Sequence, residues 1–158
     1  MASGKTNAMR ILDKLGIAYE LLHYQSNDGK IDGVSVAEKI GAQAESVFKT
    51  LVAIGTSRQL YVFVIPGAEE LDLKKAAKAA GEKKIEMLPL KDLLKNTGYI
   101  RGGCSPVGMK KQYETFLDQS AERQPFIIVS GGKIGTQMKL KPEGLIQAVK
   151  ARFVPLIK

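Results

Sequence analysis

Two glycine-bearing segments are the first candidates for chemistry in this 158-residue sequence. They are Gly102-Gly103-Cys104-Ser105-Pro106 and Ser130-Gly131-Gly132-Lys133-Ile134-Gly135. Glycine permits positive φ and lets backbone N–H groups come close to a ligand. Successive amides in such turns bind anions or hold a developing oxyanion. The same segments also read as plain tight turns between strands, and the residues alone leave both readings open. Neither is a phosphate loop or a dinucleotide fingerprint, because both spacings are absent.

Lys49 is the second candidate. It opens an otherwise apolar strand, Phe48-Lys49-Thr50-Leu51-Val52. Alternation puts Phe48, Thr50 and Val52 on one face and Lys49, Leu51 and Ala53 on the other. A lysine buried there needs an anion or loses its charge; one at a strand end can also snorkel to solvent. Cys104 is read as a small buried hydrophobe, since no Cys-His signature accompanies it. His23 is read as a structural imidazole near a strand end. Ser105 before Pro106 either donates to a ligand or shapes its turn. No Ser-His-Asp order and no convincing carboxylate pair is visible.

The elements that must position these residues follow from pattern. Thr6 to Leu15 has helical spacing, with Thr6 as N-cap and Gly16 as stop. Ile17 to Tyr24 reads as a strand, 25–33 as a polar loop, and Val34 to Ile40 as a helix stopped by Gly41. Phe48 to Ile54 and Leu60 to Ile65 flank Gly55-Thr56-Ser57-Arg58-Gln59 as a hairpin. The second run is apolar without alternation, which predicts a strand covered on both faces. Pro66-Gly67 breaks it. Leu71 to Ala80 is a helix, Lys84 to Met87 a strand, and Pro89 to Asn96 a helix with Pro in its first turn. Tyr99 to Gly108 is loop-like and Gln112 to Leu117 ambiguous. Phe126 to Ser130 and Gln137 to Leu140 are strands joined through the second glycine segment. Pro142 to Ala151 is a helix, and a strand over Arg152 to Ile157 closes the chain. The expected class is α/β (α+β): one domain over 1–158, with a mixed sheet and helices packed on it.

Composition narrows the function. Lys and Arg number 24 against 16 Asp and Glu, a net charge of +8. That favours a polyanionic partner such as nucleic acid, although a lysine-rich solvated surface gives the same count. The runs Lys74-Lys75, Lys78, Lys83-Lys84 and Lys110-Lys111 are the local sources. One cysteine and one histidine leave no disulfide framework and no tight all-nitrogen-and-sulfur metal site. No metal and no cofactor are expected. No apolar run reaches membrane-spanning length and no secretory signal is visible, so the expected place is the cytoplasm, away from any membrane.

Four segments then carry a family resemblance: Phe48-Lys49-Thr50-Leu51, Leu73-Lys74-Lys75-Ala76-Ala77-Lys78, Thr97-Gly98-Tyr99-Ile100-Arg101-Gly102-Gly103-Cys104-Ser105-Pro106, and Val129-Ser130-Gly131-Gly132-Lys133. In this order and spacing they resemble the YbaK/EbsC group of the prolyl-tRNA editing superfamily, the Cys-tRNA(Pro) deacylases. The resemblance implies a partly barrel-like sheet surrounded by helices. It also implies removal of cysteine from mischarged tRNA(Pro), with Cys-tRNA(Cys) as a second candidate substrate. The implied mechanism is substrate-assisted: the cysteinyl thiol attacks its own ester and leaves as a thiolactone. By the same resemblance, Lys49 holds the terminal phosphate or ribose of the tRNA. Gly102 and Gly103 bring amides to the aminoacyl carbonyl, and Ser105 and Pro106 shape the pocket. Tyr24 lines the terminal adenosine site, and Gly131, Gly132 and Lys133 form the opposite wall. The implied partners are tRNA and, transiently, prolyl-tRNA synthetase, with the chain a monomer or a weak homo-oligomer. Two departures stand out. Ile134 replaces the family arginine between Lys133 and Gly135, and Gln137 replaces a family acid. The alternatives are a deacylase for another small amino acid, such as Ala-tRNA(Pro), or a non-catalytic nucleic-acid-binding module of EbsC type.

Overall fold

The computed structural model describes residues 4–158. The first helix, α1 (Asn7–Leu15), begins where the Thr6 hydroxyl accepts from the Met9 N–H and ends at Gly16 in the left-handed region. Asp32 caps α2 (Gly33–Ile40) in the same way, by accepting from the Ser35 N–H. Asp72 caps α3 (Leu73–Ala80). That cap explains why α3 starts two residues later than its pattern suggests: Leu71 is taken by a bridge to Ile157. The run from Pro89 splits into a 3-10 turn (Leu90–Asp92) and a five-residue α4 (Leu93–Thr97). Pro142 occupies the first turn of α5 (Pro142–Val149), where its missing N–H costs nothing.

Among the described residues, eight strands form two sheets. The larger is ordered β4-β2-β3-β5-β8, from β2 (Phe48–Gly55), β3 (Leu60–Pro66), β4 (Ile85–Met87), β5 (Glu114–Asp118) and β8 (Arg152–Val154). Here β4-β2-β3 is antiparallel and β3-β5-β8 parallel, the expected mixture. The smaller sheet, β1-β7-β6, is antiparallel and built from β1 (Glu20–His23), β6 (Ile127–Lys133) and β7 (Thr136–Leu140). A single expected sheet is thus two. They join at a parallel bridge between Val47 and Ile128, which gives the partly barrel-like wrap. The first strand is shorter than its β-branched run, starting at Glu20 rather than Ile17, because only from Glu20 does it find a partner on β7.

The strand β3 is covered on both faces, as its unbroken apolar run requires. Val62 and Val64 enter the main core with Leu12, Phe48, Val129 and Met138. Tyr61, Phe63 and Ile65 enter a second core under α3, where Phe63 stacks on Phe116 at 5.4 Å between centroids. A strand packed on both sides is a rigid mount, and β2 pairs with it from Phe48 to Ile54. Lys49 therefore projects from one of the best-fixed backbones in the chain. No helix among the described residues is long and apolar enough to cross a membrane.

Candidate active site

One edge of β2 is paired with β3 throughout. The other edge is paired with β4 only from Ala53 onward and meets β6 only at Val47. Between these contacts lies a cleft of about 100 Å³ whose polar lining includes Lys49, Thr50, Gly102, Cys104, Ser130 and Gln137. Larger hollows of about 470 and 620 Å³ flank β1. Neither touches Lys49 or the glycine segments, so size does not choose the site here; the clustering of polar groups does.

Lys49 is half-buried. Among the described residues it has no acidic partner, whereas Lys39, Lys84 and Lys95 each have one. The rest of the lining is neutral. Burial pushes the Cys104 thiol up to about 12, with a hydrogen bond to Thr97 pulling weakly the other way, so it holds its proton and does not balance the ammonium. A half-buried cation without a counter-ion is a group that an anionic ligand can pair with. The Thr50 hydroxyl is buried without a partner. Gln137 is 5% exposed and makes no side-chain hydrogen bond among the described residues, which leaves its amide free for a ligand.

The two glycine segments do meet. Gly102 has φ +85°, and a Cβ there would lie 2.6 Å from Ile31 Cδ1. A Cβ on Gly103 would lie 2.9 Å from the Ile134 nitrogen and 3.0 Å from Lys133 backbone atoms. Backbone thus rests on backbone, which only glycine allows. The Gly103 amide is not available to a substrate, because it donates to the Ile100 carbonyl at 3.0 Å. Of the two expected amides, Gly102 is the one left without a backbone acceptor.

Other expected residues take different places. Ser105 is fully buried and its hydroxyl accepts from the Val107 N–H at 3.2 Å. It shapes the loop, with buried Pro106 beside it. Gly131 and Gly132 belong to β6 rather than to the turn, at a bulge between Ser130 and Lys133. Gly132 packs under Thr6 and Tyr99, and Gly131 against Thr136. At this point the cleft wall is Ser130 and Gln137 instead, and Lys133 is exposed at the end of β6. Tyr24 packs on the cluster of Val36, Val47 and Ile128, with its hydroxyl buried and unpartnered. Val36 and Val47 line the cleft, so Tyr24 stands behind that wall. His23 is exposed on β1, with Nδ1 3.4 Å from the Thr136 hydroxyl.

Two supports have no signature in the sequence. The Tyr99 hydroxyl donates to the Val107 carbonyl at 2.7 Å and closes the loop over residues 99–107. Lys39 donates to the Gln25 and Lys30 carbonyls and to Asp28, at 2.6, 2.9 and 2.8 Å. It ties down the loop that carries Ile31 to the cleft. Among the described residues, no group of three or more His, Cys, Asp or Glu side chains could hold a metal ion.

The neutral thiol gives a first prediction. Alkylation of Cys104 by iodoacetamide at pH 8 is expected to be about 100-fold slower or more in the folded protein than in the unfolded chain. Equal rates would show an accessible thiolate. Tyr99 is also pushed up to about 12, by burial first. Both groups keep protons in the fold that the unfolded chain has lost, so stability falls as pH rises from about 9 to 12.

Residues 32–148 match the family model described as the aminoacyl-tRNA editing domain. The chain is 47% identical over 152 residues to a protein of Enterococcus faecalis (strain ATCC 700802 / V583) named as a candidate Cys-tRNA(Pro)/Cys-tRNA(Cys) deacylase, EbsC. That match covers 96% of this chain and 93% of the relative. A proline–tRNA ligase of Shouchella clausii (strain KSM-K16) is 32% identical over 89 residues, which is 55% of this chain and 16% of the ligase. A solved structure described as a candidate trans-editing enzyme for prolyl tRNA synthetase superposes with a TM-score of 0.86 at 23% identity, covering 99% of each chain. That last likeness concerns the fold. The family match spans most of the chain and includes the strand with Lys49 and both glycine segments. The chain belongs to the aminoacyl-tRNA editing domain family.

Proposed function

We propose that this protein is a deacylase for Cys-tRNA(Pro), with Cys-tRNA(Cys) as a second substrate. The observation that carries the proposal is that Lys49, half-buried and without an acidic partner among the described residues, lines the same small, otherwise neutral cleft as Gly102, Thr50, Ser130 and Gln137. An RNA 3′ end supplies the anion, and its ester supplies the carbonyl. At about 100 Å³ this is a small cleft beside the hollows of about 470 and 620 Å³ that flank β1, which favours a small aminoacyl group. The names of the Enterococcus relative and of the ligase point the same way. The ligase match also supports prolyl-tRNA synthetase as a transient partner.

The lining offers no free carboxylate, imidazole or thiolate as a base. A substrate that carries its own nucleophile suits such a site. In the proposed step the substrate sulfur bonds to its own ester carbonyl carbon. The carbon–oxygen ester bond breaks, and the thiol proton ends on the ribose oxygen. The thiolactone released then opens with water. The protein fixes the geometry: Lys49 holds the phosphate or ribose, and the Gly102 N–H faces the oxygen that gains charge.

The test is a panel of mischarged tRNA(Pro) carrying cysteine, alanine or serine. Cysteine is expected to be cleared at least about 100-fold faster than the others, since intramolecular attack supplies several kcal/mol of the barrier. Equal clearance of alanine would replace the thiol mechanism with attack by water. No clearance of any of the three would end the deacylase reading.

A further inference from the structure

The net charge is not spread evenly. Between residues 88 and 113 there are five cations, Lys91, Lys95, Arg101, Lys110 and Lys111, against the single acid Asp92. One sixth of the chain thus carries half of its +8 charge. The lysine run on α3 is different. Between residues 69 and 86 five lysines face five acids, Asp72 is spent on the helix cap, and Lys84 pairs with Glu86 at 3.5 Å.

Lys95 and Lys110 lie side by side, and Lys95 also pairs with Asp92 at 3.1 Å. Lys110 lies across Gly98, its ammonium donating to the Lys95 carbonyl at 3.3 Å and its amide to the Thr97 carbonyl at 3.0 Å. Lys91 lies in the 3-10 turn that leads into α4, which carries Lys95. Leu90, Leu94 and Ile100, at 59%, 55% and 51% exposure, are the three most exposed large hydrophobic side chains among the described residues. The surface is also continuous with the cleft: Ile100 and Arg101 directly precede Gly102 in the turn closed by the Gly103 N–H to Ile100 carbonyl bond.

We infer that this surface docks the base-paired acceptor arm of the tRNA whose 3′ end enters the cleft. The inference rests on the deacylase reading and adds the part of the partner that the cleft is too small to hold. The charge is of the sign a polyanion requires. A 3′ strand that peels away into the cleft leaves the outermost base pair uncovered on one face. Leu90, Leu94 and Ile100 are placed to cover it, as apolar wedges do at opened base steps.

The experiment measures binding of uncharged tRNA(Pro) against salt, together with hydrolysis of 3′-cysteinyl-adenosine 5′-monophosphate, which has no duplex. For Lys91→Ala/Lys95→Ala/Lys110→Ala/Lys111→Ala, tRNA affinity at low salt is expected to fall about 10–100-fold. The slope of log affinity on log salt should drop by about one unit per lysine. Hydrolysis of the fragment should be unchanged. A control, Lys75→Ala/Lys78→Ala on α3, should leave both the affinity and the slope as they are. An unchanged slope in the quadruple variant, or an equal effect in the α3 control, overturns the inference. Leu90→Ser/Leu94→Ser should weaken tRNA binding without altering the slope. Full tRNA binding with lost binding to prolyl-tRNA synthetase would make this a protein-docking face and overturn the RNA assignment. If wild-type protein binds tRNA with these properties but leaves the fragment intact, the deacylase reading fails and the docking surface stands.

Discussion

Replacing Lys49 by alanine is expected to slow deacylation of Cys-tRNA(Pro) by about 10²–10³-fold, the loss seen when one preorganised electrostatic contact to a reacting group is removed. The fold should not change. Lys49 forms no ion pair with the described residues, and its backbone is held by β3, so thermal unfolding should stay close to wild type. Lys49→Arg keeps the charge, but a planar guanidinium is wider than an ammonium and aims its donors differently. In a cleft of about 100 Å³ it should restore only part of the rate. Single-turnover rates on the charged tRNA measure both variants. A Lys49→Ala rate within about 3-fold of wild type, a difference below about 0.7 kcal/mol, would take Lys49 out of the site.

The second large effect is expected for Gly103→Ala. The added carbon meets backbone atoms of Lys133 and Ile134 at 2.9–3.0 Å, and backbone cannot turn aside as a side-chain tip does. The loop and the β6–β7 turn must separate. Forced overpacking of this kind costs about 1–3 kcal/mol, readable as a lowered urea midpoint. The catalytic loss should exceed what stability explains, because the neighbouring Gly102 amide moves with the loop; displacement by about 1 Å can cost 10²-fold. Gly16→Ala is the comparison. It sits at a positive φ with open space around it, so it should lower stability through backbone strain and leave the rate per folded molecule intact. Equal rates for the two variants would detach the loop contact from the chemistry.

Much of this architecture can be read from residue types. The unbroken run Leu60 to Ile65 announces a strand with two dry faces, and Val62/Val64 and Tyr61/Phe63/Ile65 divide between two cores. Thr6, Gly16 and Gly41 mark helix ends by the hydrogen bonds and backbone angles those residues favour. Lys49 is conspicuous because a cation interrupts an apolar strand. What the sequence hides depends on pairing. Gly131 and Gly132 look like a turn, but a bulge keeps them in β6. Ile17 to Tyr19 have strand character and find no partner. Ile31 lines the cleft only because a distant loop brings it there, and no local pattern flags it. Gly102 and Gly103 look equivalent as neighbours, yet the turn spends one amide and spares the other. The α3 lysines look like the anion-binding face until their neighbouring acids are counted.

On the proposed reading, in which the cargo is itself a thiol, the protonated state of Cys104 has a consequence. A thiolate in the cleft wall could be oxidised onto each arriving cysteinyl group, sealing substrate and protein together in a mixed disulfide. A sulfur that stays in its neutral form is a poor partner for that reaction. The burial of residue 104 thereby disfavours such a mixed disulfide when an oxidant such as peroxide is present.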